Sequence, residues 1–407
     1  MKIVHLANWN STNIGNGALI YGTERVISED FSEQVEFLPE AWDDYTFKKK
    51  FFDEDFVDLV NSNADALLIN GAVTFNAYRR SYTATGMRFN LPLELWDKIN
   101  KPIIFYGVSY RCWPFQKYPN REAFKAMLVK ATTDKKVFFC VRNDGTKEWI
   151  AKNFGIDSEH VHEVPDPGLF VPASNLEYPE LHETKKNVII SFNGEDPMHR
   201  FATVFEKTVI RVLQNVVDPA RLDRFLNRFG LYRLERDRII KEIVRAVEGI
   251  SKEIDTQFIL VPHYLDDYGM IQRFIELVRE HIAHQCIVST GLVGVPHTAY
   301  FYGRYAKADL AISMRVHSMS PSIGLGIPVV PITSQGRMRN FLKKAGLSDI
   351  AVDVSEKGFG DTLQSMSISL LKDPSSFKNN VAPKVEIMRE RYKVMNAQIE
   401  AFIGKNS

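Results

Sequence analysis

The chain has 407 residues, 45% hydrophobic and 25% charged, which excludes a disordered or fibrous polymer and points to two hydrophobic cores rather than one. With 51 basic against 50 acidic residues the net charge is +1, so no global field recruits nucleic acid and any anion site has to be local. The scattered cysteines Cys112, Cys140 and Cys286 exclude a disulfide framework, and no run of about 18 apolar residues is present to span a membrane.

The opening MKIVHLANWN turns polar too soon for a signal peptide, so a cytoplasmic protein with at most peripheral membrane contact is expected. The first half alternates short apolar runs with helical patterns: KIVHLA, a helix over ALIYGTERVI, then DALLIN, PIIFYGV, KVFFCV and HVHEV. That rhythm predicts a mostly parallel sheet with crossover helices. Ligands of such sheets sit beyond the carboxyl ends of the strands, which singles out the loop carrying Asn13, Gly15 and Asn16, and the Asn70-Gly71 turn, as candidate acceptor or cleft positions. Pro165, Pro167, Pro172 and Pro179 mark an irregular connector. The expected division is a Rossmann-like domain over 1–180 and a second over 187–375, the latter with a solvated helical insertion at about 205–254. The strands of the second are NVIISFN, QFILVPH, QCIVST, DLAISMR and IPVVPI; a helix over 380–407 ends the chain. The predicted class is α/β, two Rossmann-like domains facing a cleft, with the last helix crossing back to the N-terminal domain.

The most informative stretch is DLAISMRVHSMSPSIGLGIPVVPI, Asp309 to Ile332, which reads as strand, short loop, small-residue helix, glycine turn and buried strand. Ser313, Arg315 and His317 leave the carboxyl end of the strand as a helix begins, where backbone N–H groups and the positive dipole end favour an anion. Arginine adds a planar fork for carboxylate or phosphate, and histidine a donor that titrates near neutrality. From Ala311 to Ser348 there is no Asp or Glu, while Arg315, Arg337, Arg339, Lys343 and Lys344 are all basic. The plain alternative is that Arg315 pairs with a distant carboxylate and His317 caps a helix. His263, at a strand end in LVPHYLDD beside Asp266 and Asp267, is a further candidate acceptor or cleft position; the cluster reads as a polar loop or, alternatively, a metal site. His281 and His284 read as surface or interdomain residues.

The run SMRVHSMSPSIGLGIPVVPI resembles the C-terminal signature of the polysaccharide pyruvyl transferase family, an Arg-x-His element followed by small residues and Gly-x-Pro. NIGNGALI, FFCVRNDGTKEWI with Arg142, and VPDPGLF with Asp166 agree in order and span most of the chain. The resemblance implies a GT-B-like fold and transfer of a pyruvyl group from phosphoenolpyruvate to a sugar as a cyclic ketal. It implies that Arg315 and His317 hold the donor's phosphate and carboxylate. Two departures stand out: TSQGRMR lacks the family's Lys, so Arg337 or Arg339 has to substitute, and Asn16 stands where Asp is common.

Ketal formation needs an acid, a base and cationic clamps. Arg315, Arg142, Ser313 and Arg337 are assigned to donor binding, His317 to phosphate contact or proton transfer, and Asp166 to the base. Asp166-Pro167 also fits a plain turn, and Arg142 a structural ion pair. No cofactor beyond phosphoenolpyruvate as co-substrate is expected, divalent metal dependence being left open. The expected partners are phosphoenolpyruvate and a sugar or lipid-linked oligosaccharide, without nucleic acid; the oligomeric state is not readable. The competing functions are a nucleotide-sugar glycosyltransferase and a non-catalytic phosphosugar-binding module.

Overall fold

Continuous apolar runs with β-branched and aromatic residues make strands that can be buried on both faces, and they do so here. The computed structural model describes every residue except 72, 77–82, 114–119, 157–158, 214–215, 218–220, 223–224, 227, 229, 231, 279, 290–293 and 407, and the side chains of 204 and 281. His281 therefore lies outside the described side chains, whereas His284 is exposed. The chain divides into two units: Met1–Ser11, Asn16–Val171 and Glu386–Ser407 form the first, Thr12–Gly15 and Pro172–Val385 the second.

In the first unit the strands are β1 (Lys2–Ala7), β2 (Glu36–Ala41), β3 (Ala66–Asn70), β4 (Phe75–Asn76), β5 (Ile103–Val108), β6 (Tyr110–Arg111), β7 (Val137–Arg142) and β8 (Val161–Val164). Six of them form a sheet in the order β2-β1-β3-β5-β7-β8, every pairing parallel, and β4 pairs with β6 separately. Alternate residues face opposite sides. Val4, Leu6, Leu67, Ile69, Phe105 and Val141 pack with Trp42 and Phe56 on one side, while Ile3, Leu68, Ile104, Tyr106 and Cys140 pack on the other.

That second face is closed by the C-terminal helix, Pro374–Asn406. From Glu386 onward its residues belong to the first unit, as expected from its apolar spacing. Tyr392 donates to the Pro165 carbonyl at 2.6 Å, and Asn396 accepts from the Tyr106 hydroxyl at 2.7 Å while donating to Asp30 at 2.7 Å. Tyr392, Ile399 and Ile403 complete the core.

In the second unit β9 (Lys186–Ser191), β10 (Thr256–Leu260), β11 (Cys286–Val288), β12 (Leu310–Ser313), β13 (Val329–Thr333) and β14 (Val352–Asp353) form a parallel sheet in the order β11-β10-β9-β12-β13-β14. The charged block read as a solvated insertion contains helices at Val204–Leu213 and Tyr232–Glu253. The longer one is not merely solvated: it buries Ile239, Ile240, Ile243, Val247 and Ile250, an apolar stripe at helical spacing beneath its charges.

Candidate active site

Four neighbouring strands of the second unit, β10, β9, β12 and β13, end at the same edge of the sheet and deliver its polar residues there. Asn193, Glu195, His199 and Arg200 follow β9, His263 and Asp267 follow β10, Arg315 and His317 follow β12, and Ser334 and Arg337 follow β13. This is the carboxyl edge, where parallel sheets bind ligands.

Arg315 is the N-cap residue of the helix Val316–Gly324 and is 6% exposed. Its Nε donates to Asp267 Oδ2 at 2.8 Å and to the Phe192 carbonyl at 3.1 Å, its Nη2 to Asp267 Oδ1 at 2.5 Å, and its Nη1 to Glu195 Oε2 at 3.2 Å. Asp267 is fully buried and also accepts backbone N–H groups from Gly194 at 3.0 Å, His263 at 2.9 Å and Tyr264 at 3.0 Å. The acid-free window around Arg315 thus meets its carboxylates from other strands, as the plain alternative had it. The pairing fixes the plane of the guanidinium and leaves one proton on each terminal nitrogen, since arginine carries five N–H donors.

His317 owes its geometry to Pro321 four residues on. A proline inside a helix cannot donate to the carbonyl four residues back and clashes with it. His317 accordingly has φ −85° and ψ 21°, outside the helical region, and its carbonyl accepts instead from the Tyr302 hydroxyl at 2.6 Å. Beneath it runs a buried polar chain: His263 Nε2 lies 2.7 Å from the Tyr305 hydroxyl, which lies 3.1 Å from Ser318 Oγ, itself 2.6 Å from Ser313 Oγ. Burial, reinforced by the positive charge of Arg315 and by His317, pushes the His263 pKa well below the usual histidine value. His263 is therefore a neutral core residue whose partner is a tyrosine. Asp267, which the sequence set beside it as a possible metal ligand, serves Arg315. Among the described residues no group of three or more His, Cys, Asp or Glu side chains is arranged to hold a metal ion.

Thr12–Gly15 joins this edge from the beginning of the chain. The Ile14 amide donates to the His263 carbonyl at 3.1 Å, Asn13 Oδ1 caps the helix Ile14–Asp30 through the Gly15 amide at 3.1 Å, and Asn13 Nδ2 lies 3.4 Å from Glu195 Oε1.

The remaining candidates belong to the first unit. Arg142, at the end of β7, pairs with Asp166 through Nη1 and Oδ2 at 3.1 Å, neither side chain being more than 1% exposed. The guanidinium also donates to the Gly107 carbonyl from Nε and Nη2, each at 3.3 Å. Asp166 Oδ1 accepts the Gly168 amide at 2.9 Å and caps the short helix Pro167–Phe170. Both the turn reading and the ion-pair reading describe this geometry. Asn16 is buried, donating to Ser11 Oγ at 2.7 Å. Gly71 has φ +145°, and a Cβ there would meet the Trp42 ring at 2.3 Å, so only glycine fits. Of the two arginines after β13, Arg339 is engaged by Asp353, with Nη2 to Oδ1 at 2.8 Å, while Arg337 is half-buried in the first turn of the helix Gly336–Lys344.

A family model for polysaccharide pyruvyl transferases matches residues 13–336, a span holding Asn13, Arg142, Asp166, His263, Asp267, Arg315 and His317. The chain belongs to the polysaccharide pyruvyl transferase family. It is a transferase by that membership. No curated protein sequence matches it. Among solved structures, a glycosyltransferase from Rickettsia africae ESF-5 is similar at a TM-score of 0.53, with 10% identity, covering 100% of this chain and 99% of that one. A Listeria monocytogenes protein assigned as a UDP-N-acetylglucosamine 2-epimerase is similar at 0.52, with 12% identity, covering 92% of this chain and 89% of that one. These likenesses are of fold, that of a two-unit, GT-B-like α/β chain. No described helix of this pyruvyl transferase family member is long and apolar enough to cross a membrane.

Sequence reasoning missed Glu195, Arg200 and the true role of Asp267. Arg200 is buried in the helix Pro197–Phe201, donating from Nη1 to Ser334 Oγ at 2.8 Å and from Nε to the Glu195 carbonyl at 3.2 Å. It ties the β9 loop to the β13 loop. The signal was present: GEDPMHR places charged residues directly after the apolar run NVIISFN.

Proposed function

We propose that this pyruvyl transferase takes its pyruvyl group from phosphoenolpyruvate and delivers it to two hydroxyls of a sugar as a cyclic ketal, releasing inorganic phosphate. A proton adds to the enol methylene, one sugar hydroxyl attacks the central carbon, phosphate departs, and the second hydroxyl closes the ring; the two hydroxyl protons leave to solvent or a base. The acceptor is a free, polymeric or lipid-linked sugar bearing a suitably spaced diol.

The observation that carries this reading is the placement of the family's Arg-x-His element at the carboxyl edge of β12, on the N-terminus of a helix. Arg315, held flat by Asp267, offers its remaining terminal N–H groups to the donor's phosphate or carboxylate. His317 contacts the same anion or passes the proton to the methylene. Arg337, in the first turn of the helix that follows β13, takes the place of the family's lysine. Ser313 supports the helix start from below through Ser318. Asn13 enters through Glu195 and Gly15 through His317, whereas Asn16 and Gly71 shape the first unit and His263 buttresses the edge. Arg142 and Asp166 enter as a buried pair fixing the ends of β7 and β8, rather than as clamp and base. No metal is assigned a role.

Calorimetric titration of phosphoenolpyruvate into the protein tests the reading. Wild type should bind, and Arg315→Ala and His317→Ala should each weaken binding about tenfold or more, as loss of a charge-assisted hydrogen bond does. Absence of binding to wild type, with or without sugars and divalent metal, would sink it; affinity for nucleotide sugars instead would point to glycosyl transfer.

A further inference from the structure

Gly15 stands where a glycine is unfavourable. It is the second residue of the helix Ile14–Asp30, and its φ is not in the left-handed region, so its backbone does not require glycine. Alanine at such a position is worth up to about 1 kcal/mol more than glycine by helix propensity. What excludes it is His317. A Cβ built on Gly15 would lie 2.7 Å from His317 Nδ1, 2.9 Å from its Cβ and 3.0 Å from its Cγ.

The loop cannot easily yield. Ile14 is bonded to the His263 carbonyl, the Gly15 amide is held by Asn13 Oδ1, and Asn13 reaches Glu195, the partner of Arg315. On the other side, the His317 backbone is fixed by Tyr302 and by the kink that Pro321 imposes. The bare Cα of Gly15 therefore sits against the Cβ–Cγ–Nδ1 edge of the imidazole, and a ring rotation toward it is closed off.

We propose that Gly15 is a positioning residue for His317, covering the Nδ1 edge so that Nε2 is the nitrogen presented to the anionic donor. This deepens the assignment of His317 made above and rests on it. The added methyl group of an alanine would push the ring off its bearing, and a displacement of about 1 Å at a reacting or binding group can cost on the order of a hundredfold.

The test uses Gly15→Ala, His317→Ala, His317→Gly and the double variant Gly15→Ala with His317→Gly in the full chain, with phosphoenolpyruvate as the titrant and histidine ¹⁵N spectra as a direct view of the ring. Gly15→Ala should weaken phosphoenolpyruvate binding at least about tenfold and shift the His317 ring resonances, identified by their loss in His317→Ala. In the His317→Gly background, which removes the Cβ 2.9 Å from the added methyl as well as the ring, the same change should cost nothing further. Unchanged affinity and unchanged His317 resonances in Gly15→Ala overturn the proposal, as does an equal loss in both backgrounds. If Gly15→Ala does not fold, the double variant with His317→Gly should fold because the ring and its Cβ are both gone; failure of both overturns the steric argument. Wild-type affinity in His317→Ala would instead remove the reading of His317, while the resonance shift would still decide whether Gly15 sets the ring.

Discussion

Asp267 grips Arg315 with both carboxylate oxygens, at 2.8 Å and 2.5 Å, across a sequence separation of 48 residues. Both groups are buried, and removing one partner strands the other without compensation. Asp267→Ala should lower the unfolding free energy by about 3–5 kcal/mol in urea denaturation. It should also abolish phosphoenolpyruvate binding, because the guanidinium loses the support that sets its plane. A variant as stable as wild type would show that Arg315 needs no such partner.

Glu195 lies on the same guanidinium at 3.2 Å and retains 21% side-chain exposure, so it opposes an incoming anion. Removing its charge in Glu195→Gln should tighten phosphoenolpyruvate binding by on the order of tenfold, the effect of a unit charge a few ångströms away in a medium of intermediate dielectric. Weaker binding by calorimetry would mean that Glu195 organises Arg315 rather than competing for it.

Tyr302→Phe removes the hydroxyl that replaces the helix bond Pro321 cannot make. The His317 carbonyl then lacks that donor, at a cost of about 1–3 kcal/mol. Thermal denaturation should record the loss. A turnover assay should show a fall in kcat larger than any change in KM, and equal activity would separate the kink from catalysis.

His263 gives the protein an acid limit. Its folded pKa lies below the unfolded value, through burial first and then Arg315 and His317, so below about pH 6.5 the unfolded chain binds a proton that the folded chain refuses. The contribution is complete above about pH 7 and is lost on acidification, by about 1.4 kcal/mol per pH unit until the folded imidazole also titrates. His263→Gln should flatten the dependence of stability on pH between about 5 and 7. An unaltered slope would assign the acid sensitivity to other groups.

Asp166→Asn breaks the buried pair with Arg142 and should destabilise the first unit by about 3–5 kcal/mol while leaving phosphoenolpyruvate affinity unchanged. Loss of turnover at full stability would return Asp166 to the reaction as a base.

Most of the strands could be read from the sequence because their residues report burial directly: the mainly apolar runs within KIVHLA, PIIFYGV and DLAISMR become β1, β5 and β12. β2 was not, since EFLPEA carries charge and Pro39 and pairs only at the sheet's edge, where a proline does not break a central ladder. β14, two residues long, offers no period at all. The Arg315–His317 element was legible as a strand end followed by small residues. Its partners were not, because Asp267, Glu195 and Tyr302 reach it from separate stretches and no local pattern encodes which carboxylate meets which arginine.

The helix that closes the first unit has a consequence for synthesis. Residues 386–406 supply Tyr392, Ile399 and Ile403 to a core whose sheet is translated before Pro172–Val385, the larger part of the second unit. Domains usually complete themselves on the ribosome in order from the N-terminus. Here Val26, Ile27 and Phe31 can cover part of the face around Ile104, Tyr106 and Cys140 early, but the rest waits for Tyr392, Ile399 and Ile403, so a fragment ending at Val171 is expected to expose apolar surface that the whole chain buries.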